Sequence, residues 1–300
     1  MNIAEALKKT GCAVKEKAPM KDYTTFRVGG CADVLVLPET EEQLVAAYRL
    51  CVEEGIEPFI MGNGSNLLVS DEGLGGVVLR VGPNYSHIEM PDETTLVCTA
   101  GTKLSDLCLF ALEHSLTGLE FAYGIPGSAG GAAFMNGGAY GGEMKDVLLW
   151  CRHLDKQGRI GTFSGDELQL SYRHSVYAET GYLITALAVR LQPGDKEAIH
   201  AKMRELLQRR VDKQPLDLPS AGSYFKRPTG HFAGALIEQC GLKGFRVGGA
   251  EVSEKHAGFI VNRGGATAAD ILQLEDSVRQ TVLEQTGVRL EREVQFIGRE

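Results

Sequence analysis

The run Tyr123–Gly142, YGIPGSAGGAAFMNGGAYGG, places eight glycines and four alanines in twenty residues. Such a stretch has too little side-chain volume to build a core of its own. It sits mid-chain, between segments with clear hydrophobic patterning. Missing side chains let a backbone approach something closely, either a neighbouring element or a bound molecule. The remainder of the chain must therefore supply the core. With 300 residues, 43% hydrophobic and 23% charged, it has enough material for two or three domains.

Strand-like and helix-like runs alternate around this segment. The run 32–38 reads as a strand closed by Pro38, and Thr40 with Gln43 forms a capping box that opens a helix through Cys51 and Val52. A second strand at 58–62 makes 32–62 a β-α-β unit. Strands are expected at 76–81 and 95–100, and a helix at 103–116 with Leu104, Leu107, Cys108, Ala111 and Leu112 on one face. After the glycine-rich segment come strands at 147–155 and 181–191, and a charged helix over about 196–211. Gln192, Pro193, Gly194 and Asp195 break the pattern and place a junction near 192–215. Beyond it lie a helix around FAGALIEQCG, the strand AGFIVN, a helix from Thr267 to about Gln285 and a last strand at 288–298. No internal repeat or low-complexity tail is present.

Charge and cysteine content narrow the function. The net charge of −8 disfavours nucleic acid or an anionic membrane as partner, while leaving room for an anionic small molecule held by local Lys and Arg. The seven cysteines are scattered, with no C-x-x-C and no zinc spacing, so no metal site is expected. Reduced, buried thiols fit a cytoplasmic protein. The N-terminus reads as a short amphipathic helix without the apolar core of a signal peptide.

Two glycine-rich loops could cradle a phosphate. GNGSN (62–66) directly follows a strand, and residues 123–131 offer many unhindered N–H groups with Pro126 stiffening one bend. Each has a plainer reading, as a tight turn and as a close helix–strand crossing. Neither G-x-x-x-x-G-K-[ST] nor G-x-G-x-x-G occurs, which removes the P-loop and the Rossmann dinucleotide site. A dinucleotide held by another fold remains.

Seven segments fall in an order that resembles the UDP-N-acetylenolpyruvoylglucosamine reductase family. They are TTFRVGG (24–30), MGNGSNLLVSD (61–71), GLEFAYGIPGSAGGAAFMNGGAYGGE (118–143), YRHSVY (172–177), AGSYFKRP (221–228), GGAEVSEKHAGFIVN (248–262) and LEREVQFIG (290–298). They span nearly the whole chain. The resemblance implies an α+β protein: a vanillyl-alcohol-oxidase/PCMH-like FAD-binding fold of two subdomains plus a C-terminal α/β substrate-binding domain. It places the FAD-binding region at 1–192, with subdomains at about 20–75 and 76–192, and the substrate-binding domain at 205–300. FAD would contact Gly62, Asn63, Gly64, Ser65 and Asn66 in the first loop, and Gly124, Ile125, Pro126, Gly127, Ser128, Gly130 and Gly131 in the second. Arg27 has the charge for a phosphate or a flavin carbonyl, or for a surface ion pair. The first loop has no histidine, so the FAD is expected to be noncovalent.

The family reaction, by the same resemblance, has two halves. NADPH reduces the flavin, and hydride then passes to the methylene carbon of the enolpyruvyl UDP-sugar, yielding UDP-N-acetylmuramate for peptidoglycan. Arg173 would face the substrate carboxylate, where a planar and permanently charged fork suits the developing enolate. Glu293 would act beside it, and Ser223 would donate the proton to carbon, with Lys226 assisting. Preorganised charge of this kind is worth ~3–4 kcal/mol per donor. Lys226, Arg227 and Tyr172 are the expected substrate contacts, within a basic set that includes Lys243, Arg246 and Arg263. Without the resemblance, Arg173 reads as a surface charge, Ser223 as a loop residue, and Glu293 as the polar side of an alternating strand. YRHSVYAETGYLIT leaves no room for the Tyr-bearing loop of the longer subclass, so the chain resembles the shorter one. A monomer is compatible with the sequence. A flavin oxidase of the same fold and a noncatalytic FAD-binding regulator are the rival readings; the joint presence of Arg173, Ser223 and Glu293 speaks against both.

Overall fold

The structure is a computed structural model that describes residues 2–299. The chain forms two compact units. The first comprises residues 1–16, 34–63 and 76–209, and the second residues 17–33, 64–75 and 210–300. Each has its own apolar core.

The first unit is built on a five-stranded antiparallel sheet. Its order is Ile160–Ser164, Leu148–Leu154, Leu183–Arg190, Thr95–Thr99 and Ile88–Glu89. Leu183–Arg190 is central, and all its residues except Arg190 are buried. That explains its near-continuous apolar sequence, since a strand covered on both faces has no polar side to alternate with. A four-stranded sheet has the order Ala13–Pro19, Cys31–Leu37, Leu74–Arg80 and Phe59–Met61. The expected β-α-β unit is thus opened. Leu74–Arg80 lies between its two strands and pairs in parallel with Phe59–Met61. Val77, Val78 and Leu79 are buried whereas Phe59 and Ile60 are half-buried, so the later strand takes the inner position and the earlier one the edge.

The connecting helix Glu41–Glu53 begins as the sequence predicts, with a variation. The Thr40 side chain accepts from the Gln43 N–H, but Gln43 Oε1 reaches back one residue further, to the Glu39 N–H at 2.8 Å. Leu104–Glu113 also forms as expected, with its five anticipated apolar residues buried.

The second unit carries a four-stranded antiparallel sheet in the order Ser220–Ser223, Phe259–Asn262, Ala250–Val252 and Arg246–Val247. Helices Ala233–Gln239 and Ala268–Thr286 belong to this unit. Ala268–Thr286 is opened by a complete Thr267/Asp270 capping box, and Asp71 adds a second cap by accepting from the Ala268 and Ala269 N–H groups at 2.8 and 3.0 Å. The last expected strand, 288–298, is shorter than its pattern. Only Gln295–Ile297 is a strand, paired in parallel with Leu67–Val69. Leu290 and Val294 are buried as the alternation requires, but Phe296 is 37% exposed.

Candidate active site

In the first unit the two glycine-rich loops meet. A methyl group on Gly62 would lie 2.5 Å from Ser128 Oγ, and one on Gly130 would lie 2.6 Å from Ala100 Cβ. Neither position has room for a side chain. The second loop is also more ordered than its composition suggests. Ser128 caps a short helix, Ala129–Phe134, by accepting from the Gly131 N–H at 3.3 Å. Three more of its backbone donors are engaged within the protein: Ile125 with Ala122 O, Ala129 with Thr102 O and Gly130 with Ala100 O. Gly124 and Gly64 adopt φ values of +90° and +64°, which favour glycine. Asn63 Oδ1 is buried and has no hydrogen-bond partner among the described residues. A buried acceptor of this kind is costly unless a donor reaches it. Glycine-rich loops in close contact, carrying a buried acceptor that awaits a donor, fit a polar-edged group such as a flavin.

The second half of the glycine-rich segment has a different duty. Asn136, 1% exposed and held at φ +43°, donates from Nδ2 to Ser171 O at 3.0 Å and accepts from the Lys145 N–H at 2.8 Å. Phe134 O accepts from Ser175 Oγ at 2.7 Å. These bonds clamp both ends of the turn 171–174, closed by reciprocal backbone bonds between Ser171 and His174. Arg173 lies at the tip with φ +55°, a conformation uncommon for a residue with a side chain. Its guanidinium is 5.2 Å from the exposed Tyr172 ring. A strained residue persists only where its surroundings over-determine it, and here they do. His174 pairs with Glu179 at 3.3 Å.

The second unit brings Ser223 and Glu293 onto adjoining backbone. The Glu293 N–H donates to Tyr224 O at 2.9 Å, and the Lys226 N–H donates to Glu291 O at 2.8 Å. Ser223 is exposed and Glu293 half-buried. The end of the first loop joins them: Asn66 Nδ2 donates to Glu293 O at 3.3 Å, and Asn66 O accepts from the Gln295 N–H. Gly64 O accepts from the Thr25 N–H at 3.2 Å. Arg27 is exposed, again at a left-handed φ of +55°, and its carbonyl accepts from Asn262 Nδ2 at 3.3 Å. Ser65 is half-buried.

The basic set of the second unit is largely neutralised. Lys226 lies 3.5 Å from Glu291, Lys243 lies 2.6 Å from Glu238, and Arg246 and Arg263 both pair with the buried Glu251. Arg227 stacks 4.0 Å over the exposed Phe232 ring. Sequence reasoning did not single out Asn136, Glu251 or Glu275. Asn136 and Glu275 meet Ser171 and Tyr224 at 35 and 51 positions along the chain, a reach that no local spacing reveals.

Two apolar cores and two touching glycine-rich loops fit an α+β flavin-binding protein of the vanillyl-alcohol-oxidase/PCMH-like type, joined to a C-terminal domain. A family model for an FAD binding domain matches residues 32–164. A model for the C-terminal domain of UDP-N-acetylenolpyruvoylglucosamine reductase matches residues 214–297. Among curated relatives, the reductase of that name from Syntrophomonas wolfei is 46% identical over 287 residues, covering 96% of each chain. That from Agathobacter rectalis is 47% identical, covering 99% of this chain and 97% of its own. The crystal structure of the Thermus caldophilus enzyme superimposes with a TM-score of 0.80 at 36% identity, over 95% of this chain and 99% of that one. The chain belongs to the UDP-N-acetylenolpyruvoylglucosamine reductase family.

Proposed function

We propose that Arg173, Ser223 and Glu293 carry the carbon chemistry of a UDP-N-acetylmuramate dehydrogenase. The chain reduces the enolpyruvyl group of UDP-N-acetylglucosamine enolpyruvate to UDP-N-acetylmuramate, in peptidoglycan synthesis, with NADPH as reductant and FAD as cofactor. The observation that carries this reading is the family match along essentially the whole chain. When bound, FAD supplies hydride transfer, from NADPH to the substrate's methylene carbon. We assign its holding to the loops 62–66 and 124–131 with Arg27; glycine at 62 and 130 lets these loops pack closely on Ser128 and Ala100. Residues 1–192 are the proposed FAD-binding region and 205–300 the substrate-binding domain.

Negative charge develops on the substrate carbon beside the methylene and on its carboxylate. Arg173 holds that carboxylate, and the clamp on its turn fixes the backbone that carries it before charge develops, which supports effective electrostatic stabilisation. Ser223 delivers the proton to carbon, and Glu293 stabilises the charge through a shared proton or assists the transfer. Lys226, Arg227 and Tyr172 are the proposed substrate contacts. Lys226 is close enough to Ser223 in sequence to help it, but its ammonium pairs with Glu291, so that partner must be exchanged when it does. The protein is proposed to work in the cytoplasm; no helix among the described residues is long and apolar enough to cross a membrane.

The test separates the two halves. In Ser223→Ala, anaerobic reduction of the bound flavin by NADPH should proceed at the wild-type rate. Reoxidation by the enolpyruvyl UDP-sugar should slow by about 10²–10⁴-fold, the range for loss of a general acid. Equal slowing of both halves would remove Ser223 from this role. Rapid reoxidation by air without the sugar would favour an oxidase instead.

A further inference from the structure

Helix Ala268–Thr286 buries an apolar stripe, Ile271, Leu274, Val278 and Val282, and a glutamate sits in the middle of it. Glu275 is 1% exposed. Its Oε2 accepts from Tyr224 Oη at 2.9 Å and lies 3.1 Å from Arg292 Nε. Its Oε1 is 3.5 Å from Arg279 Nη1, an ionic contact one helical turn along. The environment is dry enough that burial, followed by the neighbouring carboxylate, raises the Tyr224 phenol far above its ordinary value. A buried carboxylate with its partners is seldom the most stabilising way to fill such a position, and apolar residues of similar volume often do as well or better. Stability alone therefore does not account for it.

Its partners indicate what it does. Tyr224 directly follows Ser223, and Arg292 directly precedes Glu293. The two segments are joined by backbone bonds such as Glu293 N–H to Tyr224 O and, at the surface, by the Lys226–Glu291 pair. Glu275 adds a common anchor beneath them on a rigid helix. With Tyr224 and Arg292 held on one carboxylate, the backbone of neither segment can shift far without breaking a charge-assisted bond.

We propose that Glu275 is a positioning residue of the reductase, which sets the placement of Ser223 and Glu293 by gripping Tyr224 and Arg292. The proposal rests on the assignment of Ser223 and Glu293 to the carbon chemistry. It confines the effect of Glu275 to the second half-reaction, where a misplacement of about 1 Å can cost about 10²-fold.

The experiment uses the FAD-loaded enzyme with two variants. Glu275→Gln keeps the volume and one acceptor but removes the charge, and Tyr224→Phe removes one hydrogen bond. Flavin reduction by NADPH should stay within about twofold of wild type in both. Reoxidation by the enolpyruvyl UDP-sugar should slow by about 10–100-fold in Glu275→Gln and less in Tyr224→Phe, with the KM for that sugar changed little. Amide hydrogen exchange over 220–226 and 290–296 should accelerate in Glu275→Gln. In a Ser223→Ala background the further loss from Glu275→Gln should shrink, leaving only the part carried through Glu293. The proposal is overturned if Glu275→Gln leaves reoxidation and exchange unchanged, or if it slows both halves equally alongside a lower melting temperature. Should Ser223→Ala itself leave reoxidation intact, the catalytic assignment fails. The exchange measurement then still decides whether Glu275 grips the two segments.

Discussion

One methyl group at Gly62 is enough to test whether the two glycine-rich loops must touch. Its Cβ would stand 2.5 Å from Ser128 Oγ, and Ser128 cannot simply turn away, since that oxygen caps the helix Ala129–Phe134. Gly62→Ala should therefore fold but bind FAD at least about tenfold more weakly, since ~1–3 kcal/mol of overpacking falls on the cofactor's own loop. Flavin retained through gel filtration, with circular dichroism as the control for folding, measures this; full retention would show that the loops can part. Much at this scale was legible. The lack of side chains in 123–142 pointed to close approach of backbone to something. The sequence did not reveal that the segment divides its duties, with Gly130 packed on Ala100 and Asn136 fastening the Arg173 turn. Asn136 meets its acceptor 35 residues away, and a single asparagine carries no signal of that reach.

Among the elements, helix Ala268–Thr286 is the support on which Ser223 and Glu293 depend, and its start is the best-marked boundary in the chain. Thr267 Oγ1 accepts from the Asp270 N–H at 3.0 Å, and Asp270 returns a bond to the Thr267 N–H. Thr267→Ala should cost about 0.5–1 kcal/mol, the lower part of the N-cap range, because Asp71 still serves the Ala268 and Ala269 N–H groups. Urea unfolding followed by circular dichroism would show it; a loss above about 2 kcal/mol would mean that the second cap does not compensate. The start at Thr267 was readable because capping signals are local, within four residues. The opened β-α-β unit was not. Strand order depends on which strand is most buried, and a run such as 74–80 does not announce its neighbours. The strand over 288–298 was over-read for a related reason, since alternation marks burial of Leu290 and Val294 but not the presence of a pairing partner.

Across the whole molecule, each unit holds a histidine whose burial disfavours the charged form. Desolvation lowers the pKa of His153 in the first unit and of His256 in the second below 6.5. His153 Nδ1 lies 3.0 Å from Tyr177 Oη, whose own proton goes to Cys151 O. His256 Nδ1 accepts from the Gly258 N–H at 3.1 Å, a bond that requires the neutral ring. The unfolded chain takes up these protons first. Stability is then full above pH 6.5 and is lost as pH falls from 6.5 toward the lower folded values. Unfolding midpoints taken between about pH 7.5 and 5 should decline, and His153→Gln, which cannot titrate, should flatten the decline. An unchanged slope in that variant would rule out His153 as a source. Taken alone, the sequence determined the α+β class, most helix and strand positions, the family and the residues proposed for its chemistry. These follow from periodicity, caps and ordered motifs, which are properties of contiguous residues. Only the tertiary structure decided that 17–33 and 64–75 pack with the C-terminal residues, that Lys226, Lys243, Arg246 and Arg263 are already paired, and that a buried glutamate anchors the neighbours of Ser223 and Glu293. The unit boundaries, the Lys226–Glu291 pair and the Glu275 anchor depend on groups distant along the chain meeting, and chain order does not encode which groups will meet.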